Sequence, residues 1–362
     1  MEKEINTVGL SRDFIIHPGE TLAEILEDRG MSQKELAIRT GVTEKHVSTV
    51  INGQKNISTS FAKKLEYALG IEAEFWINLQ KNYERELLEF EEVNGISTQE
   101  IDVLKNLKEV VVKWIEYGWI EKDANPASMV LDIRKLFGIS NLCDTPKMKF
   151  VAAFRAQKKN TSTDPYVLFA WQRMCELLTE NIDIADEINI ALLRAKIPEI
   201  KQVMFMDEDQ IPKNLTRIFA ECGIAFRIVP NFKGAPVQGF IKTAENGALI
   251  LCVTLRQHFA DIFWFSLFHE ISHVLNGDTK NAFVDFDSVS GKIEEKADEM
   301  AKDFLLDPTA YKEFIQSRKY TSSYAIDNFA EQQGVLPFIV NGRLMKEQLK
   351  RWGTRPKYNW AV

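Results

Sequence analysis

The chain has 362 residues, more than one ordinary domain needs and enough for two or three. Apolar residues make up 45% and charged residues 27%, the balance of a globular chain with a core in each part, which excludes a disordered or collagen-like polypeptide. The net charge of −7 argues against a chain coated in basic surface, so any nucleic-acid-binding face has to be local.

Residues 1–10 are polar and mixed in charge, with no apolar run of signal-peptide length. No apolar stretch approaches the roughly 20 residues that span a bilayer, so the expectation is a soluble, cytoplasmic protein with no membrane partner. The four cysteines, Cys143, Cys175, Cys222 and Cys252, form no CxxC pair and are expected as reduced, buried thiols.

From 17 to 90 the pattern predicts short helices punctuated by Gly30, Gly41, Gly53 and Gly70, since a glycine past an apolar-periodic run commonly ends a helix. Ser32 has capping-box spacing to Glu35, and Thr43 stands where it can cap the next helix. Leu36, Ala37, Val42, Val47, Val50 and Ile51 form the inward face of two helices meeting across a tight turn at Gly41. Thr43, Glu44, Lys45, His46, Ser48 and Thr49 are then left outward on the second helix, the positions that enter the major groove in such a motif. Gln33, Asn52 and Lys55 suit phosphate contacts. Between Arg29 and Lys64 seven basic residues face two acidic ones, a local charge of +5. A longer helix is expected over 72–90.

The break at 93–98, with Asn94-Gly95, marks the first predicted boundary. Residues 101–198 read as largely helical, with a polar loop at 158–165. A helix ending at Gly223 precedes strand-length runs at 224–229 and 248–253, with Phe240-Ile241 between them, so a small sheet is expected. Helices follow at 261–275 and 293–306, and one more near 325–333.

Within the 261–275 helix stands His269-Glu270-Ile271-Ser272-His273. Histidines four apart share one helical face and can hold one metal ion, and Glu270 beside them can act as general base. The third ligand is a downstream carboxylate or an upstream histidine such as His258, because no histidine follows His273. Glu294 is the choice. Glu294, Ala297, Asp298 and Ala301 share one face of the following helix, and its small alanines allow close packing. Asp298 can orient a ligating histidine, while Glu295 points about 100° away.

Two resemblances follow from these residues. His17-Pro18-Gly19-Glu20, Ser32-Gln33-Lys34-Glu35-Leu36-Ala37, Ile51-Asn52-Gly53 and Phe75-Trp76-Ile77-Asn78-Leu79-Gln80 resemble the XRE (lambda-repressor-like) family, and within it the HigA antitoxins. That resemblance implies a homodimer on double-stranded operator DNA with an inverted repeat. Phe268-His269-Glu270-Ile271-Ser272-His273-Val274-Leu275, Glu294-Glu295-Lys296-Ala297-Asp298-Glu299-Met300-Ala301, Gln238-Gly239-Phe240-Ile241 and Pro337-Phe338-Ile339-Val340-Asn341-Gly342-Arg343-Leu344 resemble the ImmA/IrrE metallopeptidases. Ser272 stands where that family commonly has Gly and Asp298 where it commonly has Asn, and both departures leave the ligands intact. This second resemblance implies a Zn2+ cofactor and cleavage of a repressor or antitoxin protein, and fusion to the DNA-binding module adds the chain itself or its partner as substrates.

The expected architecture is mainly α with a small β-sheet. It comprises an all-α lambda-repressor-like helix-turn-helix domain at 1–92, a helical middle region at 93–205 and an α+β zincin-like domain at 206–362. The expected function is a DNA-binding repressor or antitoxin with a zinc endopeptidase domain. The rival is a non-proteolytic antitoxin whose zinc domain senses a signal or docks a toxin, and it has no need of Glu270.

Overall fold

A computed structural model describes residues 12–148, 153–156, 164–185, 187–235, 237–244, 247–255, 258–278 and 290–360. The chain forms two compact units. One comprises the described residues up to Lys105 together with Ile115–Leu142, and the other comprises Asn106–Trp114 and the described residues from Cys143 on. Among the described residues the molecule is mainly helical with one small sheet.

The first unit begins with α1 (Pro18–Asp28), α2 (Gln33–Thr40), α3 (Glu44–Ile51), α4 (Thr59–Leu69) and α5 (Ala73–Asn94). Their starts are set by side-chain caps. Ser32 accepts from the Glu35 N–H, Thr43 from His46 N–H and Ser58 from Phe61 N–H, each satisfying a first-turn donor that the helix leaves unpaired. Gly41 closes α2 in the left-handed region at φ 63°, where a side chain would be strained. Leu22, Leu36, Val47, Val50, Phe61, Leu65 and Trp76 are buried together between these helices, while Val42 and Ile51 pack at the edge. A methyl group at Gly19 would stand inside 3.0 Å of the Val50 carbonyl, so the start of α1 lies directly on the end of α3. The long α5 continues to Asn94, further than its apolar pattern suggests.

α6 (Thr98–Asn106), α7 (Lys108–Glu116) and α8 (Pro126–Phe137) follow. In the first unit Glu100, almost fully buried, accepts from the Arg134 guanidinium at 2.7 and 3.0 Å and from the Leu142 N–H at 3.0 Å. A buried carboxylate is tolerable only when paired in this way.

The second unit contains β1 (Ala153–Ala156), α9 (Pro165–Thr179), α10 (Ile190–Ala195), α11 (Ile197–Val203) and α12 (Ile211–Glu221). Then come β2 (Ile224–Val229), β3 (Val237–Thr243), β4 (Leu249–Thr254), α13 (Ala260–Asn276), α14 (Ser290–Leu305), α15 (Pro308–Gln316), α16 (Ser323–Gln333) and α17 (Pro337–Lys346). The sheet order is β1-β3-β4-β2. β3 runs antiparallel to β1 and β4, and β2 runs parallel to β4 with Phe226 opposite Leu251. Every residue of β4 is buried, as a strand covered on both faces requires. α13 packs on β3, β4, α14 and α17, and twelve of its side chains are buried.

Two expectations need correction. A strand, β1, lies inside the stretch read as helical. The tail holds three helices, not one: α15 and α17 each carry a proline at the first position, which starts a helix rather than preventing one. The loop expected at 158–165 falls outside the described residues except for Asp164 and Pro165, which cap and open α9. All four cysteines are free, three of them buried. Among the described residues no helix is long and apolar enough to cross a membrane.

Candidate DNA-reading helix and metal centre

The turn between α2 and α3 leaves one face of α3 outward. Thr43, Glu44, Lys45, Asn52 and Lys55 are exposed, and Gln33, Ser48 and Thr49 are half-buried. Local hydrogen bonds fix several of these side chains. The Asn52 amide donates to Ser48 Oγ at 3.3 Å, and the Thr49 hydroxyl donates to the His46 carbonyl at 2.9 Å. His46 departs from the outward position expected of it. Its ring packs edge-on against Phe61 with centroids 4.8 Å apart, and its Nδ1 lies 3.1 Å from Lys55 Nζ. Burial lowers its pKa, and the neighbouring charges of Lys55 and Lys64 lower it further. Part of the local charge is engaged within the chain: Lys63 pairs with Glu66, which lies outside the segment, and Arg29 donates to the Leu69 carbonyl at 2.5 Å, while the Arg39–Glu35 pair at 2.6 Å is already counted in the +5. Lys34, Lys45 and Lys64 remain exposed.

Behind the reading helix, His17 caps α1 by accepting from the Gly19 N–H at 2.9 Å through Nδ1. Its ring meets Tyr83 edge-on at 4.7 Å and lies close to Gly53. Burial lowers its pKa more than Asn56 and Glu20 raise it.

In the second unit, the structure brings His269, His273 and Glu294 together as a group able to hold a metal ion. His269 Nε2 lies 3.1 Å from both Glu294 Oε2 and His273 Nε2, and His273 Nε2 lies 3.8 Å from Glu294 Oε2. A point equidistant from the three atoms is about 2.0 Å from each, the bond length of zinc to imidazole nitrogen and carboxylate oxygen. The donor set therefore fits a zinc ion. The helical register explains the meeting: His269 and His273 are one turn apart on α13, and buried Ala297 and Ala301 let α14 approach closely. Glu295 points to solvent, and His258 is engaged elsewhere, with Nδ1 3.1 Å from the Tyr358 carbonyl.

The remaining ring nitrogens face carboxylates. Asp298 Oδ1 lies 2.7 Å from His269 Nδ1, and Asp278 Oδ2 lies 2.7 Å from His273 Nδ1. Burial pushes the Asp298 carboxyl up, but the His269 hydrogen bond and the charges of His269, Lys346 and Lys302 outweigh it and hold it below the ordinary value. Asp278 was not anticipated from the sequence. The available signal was an acidic residue directly after the helix-ending Gly277. Glu270 is 2% exposed, and a methyl group at Gly239 of β3 would stand inside 3.0 Å of its carboxylate and Cγ. The carboxylate thus lies flush against strand backbone at the one β3 position without a side chain. Ser272 is satisfied by donating to the Phe268 carbonyl at 2.7 Å, which accounts for a hydroxyl inside this apolar helix.

Comparison with known proteins matches residues 22–76 to the helix-turn-helix family. Virulence-associated protein I of Dichelobacter nodosus is 32% identical over 75 residues, 20% of this chain and 69% of that protein. The chain belongs to this helix-turn-helix family through its first unit. Within it, antitoxin HigA-1 of Vibrio cholerae is 44% identical over 63 residues, 17% of this chain and 59% of that protein. A solved antidote protein of a plasmid maintenance system from Nostoc punctiforme is 37% identical, covering 20% of this chain and 80% of that one, with a TM-score of 0.20. The chain spans between 59% and 69% of the curated relatives it matches.

Proposed function

We propose that this chain is an antitoxin-type regulator that binds double-stranded operator DNA as a homodimer, and that its second unit is a zinc endopeptidase acting on a regulatory protein, a repressor or antitoxin, or on the chain itself. The DNA-binding half is supported by the family membership and by the outer face of α3, where Glu44 and Lys45 are exposed and Ser48 and Thr49 half-buried, the positions that face the groove in this motif. The observation that carries the peptidase half is the triangle of His269, His273 and Glu294 with buried Glu270 beside it on α13.

His269, His273 and Glu294 would hold the ion. Zinc bound there supplies a Lewis acid that polarises a peptide carbonyl and lowers the pKa of water. Asp298 keeps His269 in the tautomer that presents Nε2 to the ligand point. Glu270 is held by α13 and walled by β3, a position from which its carboxylate can accept a proton from water and return it to a leaving amine. The test is elemental analysis of the purified chain and of His269→Ala. One zinc per chain in the parent and loss of it in the variant is expected; full occupancy in the variant would remove the assignment.

A further inference from the structure

His273 is fully buried on α13, with Nε2 turned toward His269 and Glu294 and Nδ1 facing Asp278 at 2.7 Å. That second contact is not what a continuing helix would produce. Five residues along an α-helix is a rotation of about 140°, which puts the side chain on another face. The chain reaches back because Gly277 ends α13 at φ 75°, with its N–H directed to the His273 and Val274 carbonyls, and the next residue folds over the last turn. A carboxylate just past a helix C-terminus also faces the negative end of the helix dipole, so helix stability does not account for Asp278 at this place. The His273 hydrogen bond does.

We infer that Asp278 is a positioning residue of the metal centre. By accepting from Nδ1–H it holds the neutral imidazole in the tautomer whose Nε2 lone pair points to the ligand point, and it fixes the plane of the ring. The inference rests on the reading of His269, His273 and Glu294 as zinc ligands. It also divides the centre into two arms of different origin. The His273 arm, with its carboxylate, is assembled within α13 and its cap. The His269 arm takes Asp298 from α14, the helix that also delivers Glu294.

The experiment measures zinc affinity of the full chain by competition with a chromogenic chelator, and the visible spectrum after cobalt substitution, for the parent, Asp278→Ala and Asp278→Asn. Loss of a carboxylate partner of this kind typically weakens metal binding about 10–100-fold. Asp278→Ala is expected in that range with an altered cobalt spectrum. Asp278→Asn keeps an acceptor without the charge, is nearly isosteric and should fall between the two. Both variants binding zinc as tightly as the parent, with an unchanged spectrum, would overturn the role of Asp278. A parent chain that binds no zinc would instead overturn the metal reading on which it rests.

Discussion

Gly239→Ala perturbs the centre without touching a ligand. Gly239 sits in β3, buried, and needs no left-handed backbone, so alanine there suffers only from lack of space. The added Cβ would stand inside 3.0 Å of Oε1, Cδ and Cγ of Glu270. Real contacts between such atoms are about 3.5–4.0 Å, so either the strand or the carboxylate has to move by roughly 1 Å. Glu270 is 2% exposed and cannot escape into solvent, and β3 is paired on both edges. Overpacking of this type costs about 1–3 kcal/mol. At about 2–4 °C per kcal/mol for a unit of this size, the melting temperature should drop by roughly 2–12 °C. Thermal unfolding of a double-mutant cycle makes the cause visible. In a Glu270→Ala background the obstructing atoms are gone, and Gly239→Ala should then be nearly silent. The same loss of stability in both backgrounds would refute the idea that Glu270 is what excludes a side chain at 239.

Glu270→Gln should keep fold and zinc content and abolish cleavage of a verified substrate, read by gel, because the amide cannot take a proton. Lys45→Ala and Lys55→Ala should weaken binding to all DNA sequences alike, and each should reduce the slope of log affinity against log salt by about 0.9 in a titration series. Substitution of Ser48 or Thr49 should change base preference instead, by about 1–3 kcal/mol at the affected position in a panel of single-base operator variants. The depressed His17 pKa means that folding favours the neutral ring. Its contribution to stability is complete above the ordinary value of 6.5 and is lost as pH falls from there toward the lowered folded value. Urea midpoints followed from pH 7.5 downward should show this loss, and His17→Asn, which keeps a capping acceptor that does not titrate, should flatten it.

The first unit was largely legible because its signals are local. Ser32 and Thr43 cap at the third residue on, and Gly41 ends a helix where only glycine is comfortable, so boundaries follow from short spacings. The face of α14 was legible for a similar reason, since Glu294, Ala297, Asp298 and Ala301 repeat at helical intervals. What escaped depends on turns and on distant partners. Asp278 reaches His273 only through the left-handed turn at Gly277. His46 is drawn inward by Phe61, which lies on another helix, and by Lys55 beyond the end of its own. β1 has four residues, too few for alternation to register, and its partner β3 lies far along the chain. The helices that open on Pro308 and Pro337 went unread in the tail, where only the one near 325–333 was expected.

The chain passes between its compact units three times, after Lys105, after Trp114 and after Leu142. A single nick at any one of these crossings leaves the pieces interlocked. Cut after Lys105, Arg134 on one fragment still grips Glu100 on the other within the first unit. Cut after Leu142, residues 106–114 stay with the N-terminal fragment yet belong to the second unit, where Glu109 accepts from the Lys233 N–H at 3.4 Å. Were the chain its own substrate, a lone incision at a crossing would yield a nicked but undivided molecule. Freeing the DNA-reading part would take a second incision or local unfolding, so release of the operator would lag behind the first bond broken.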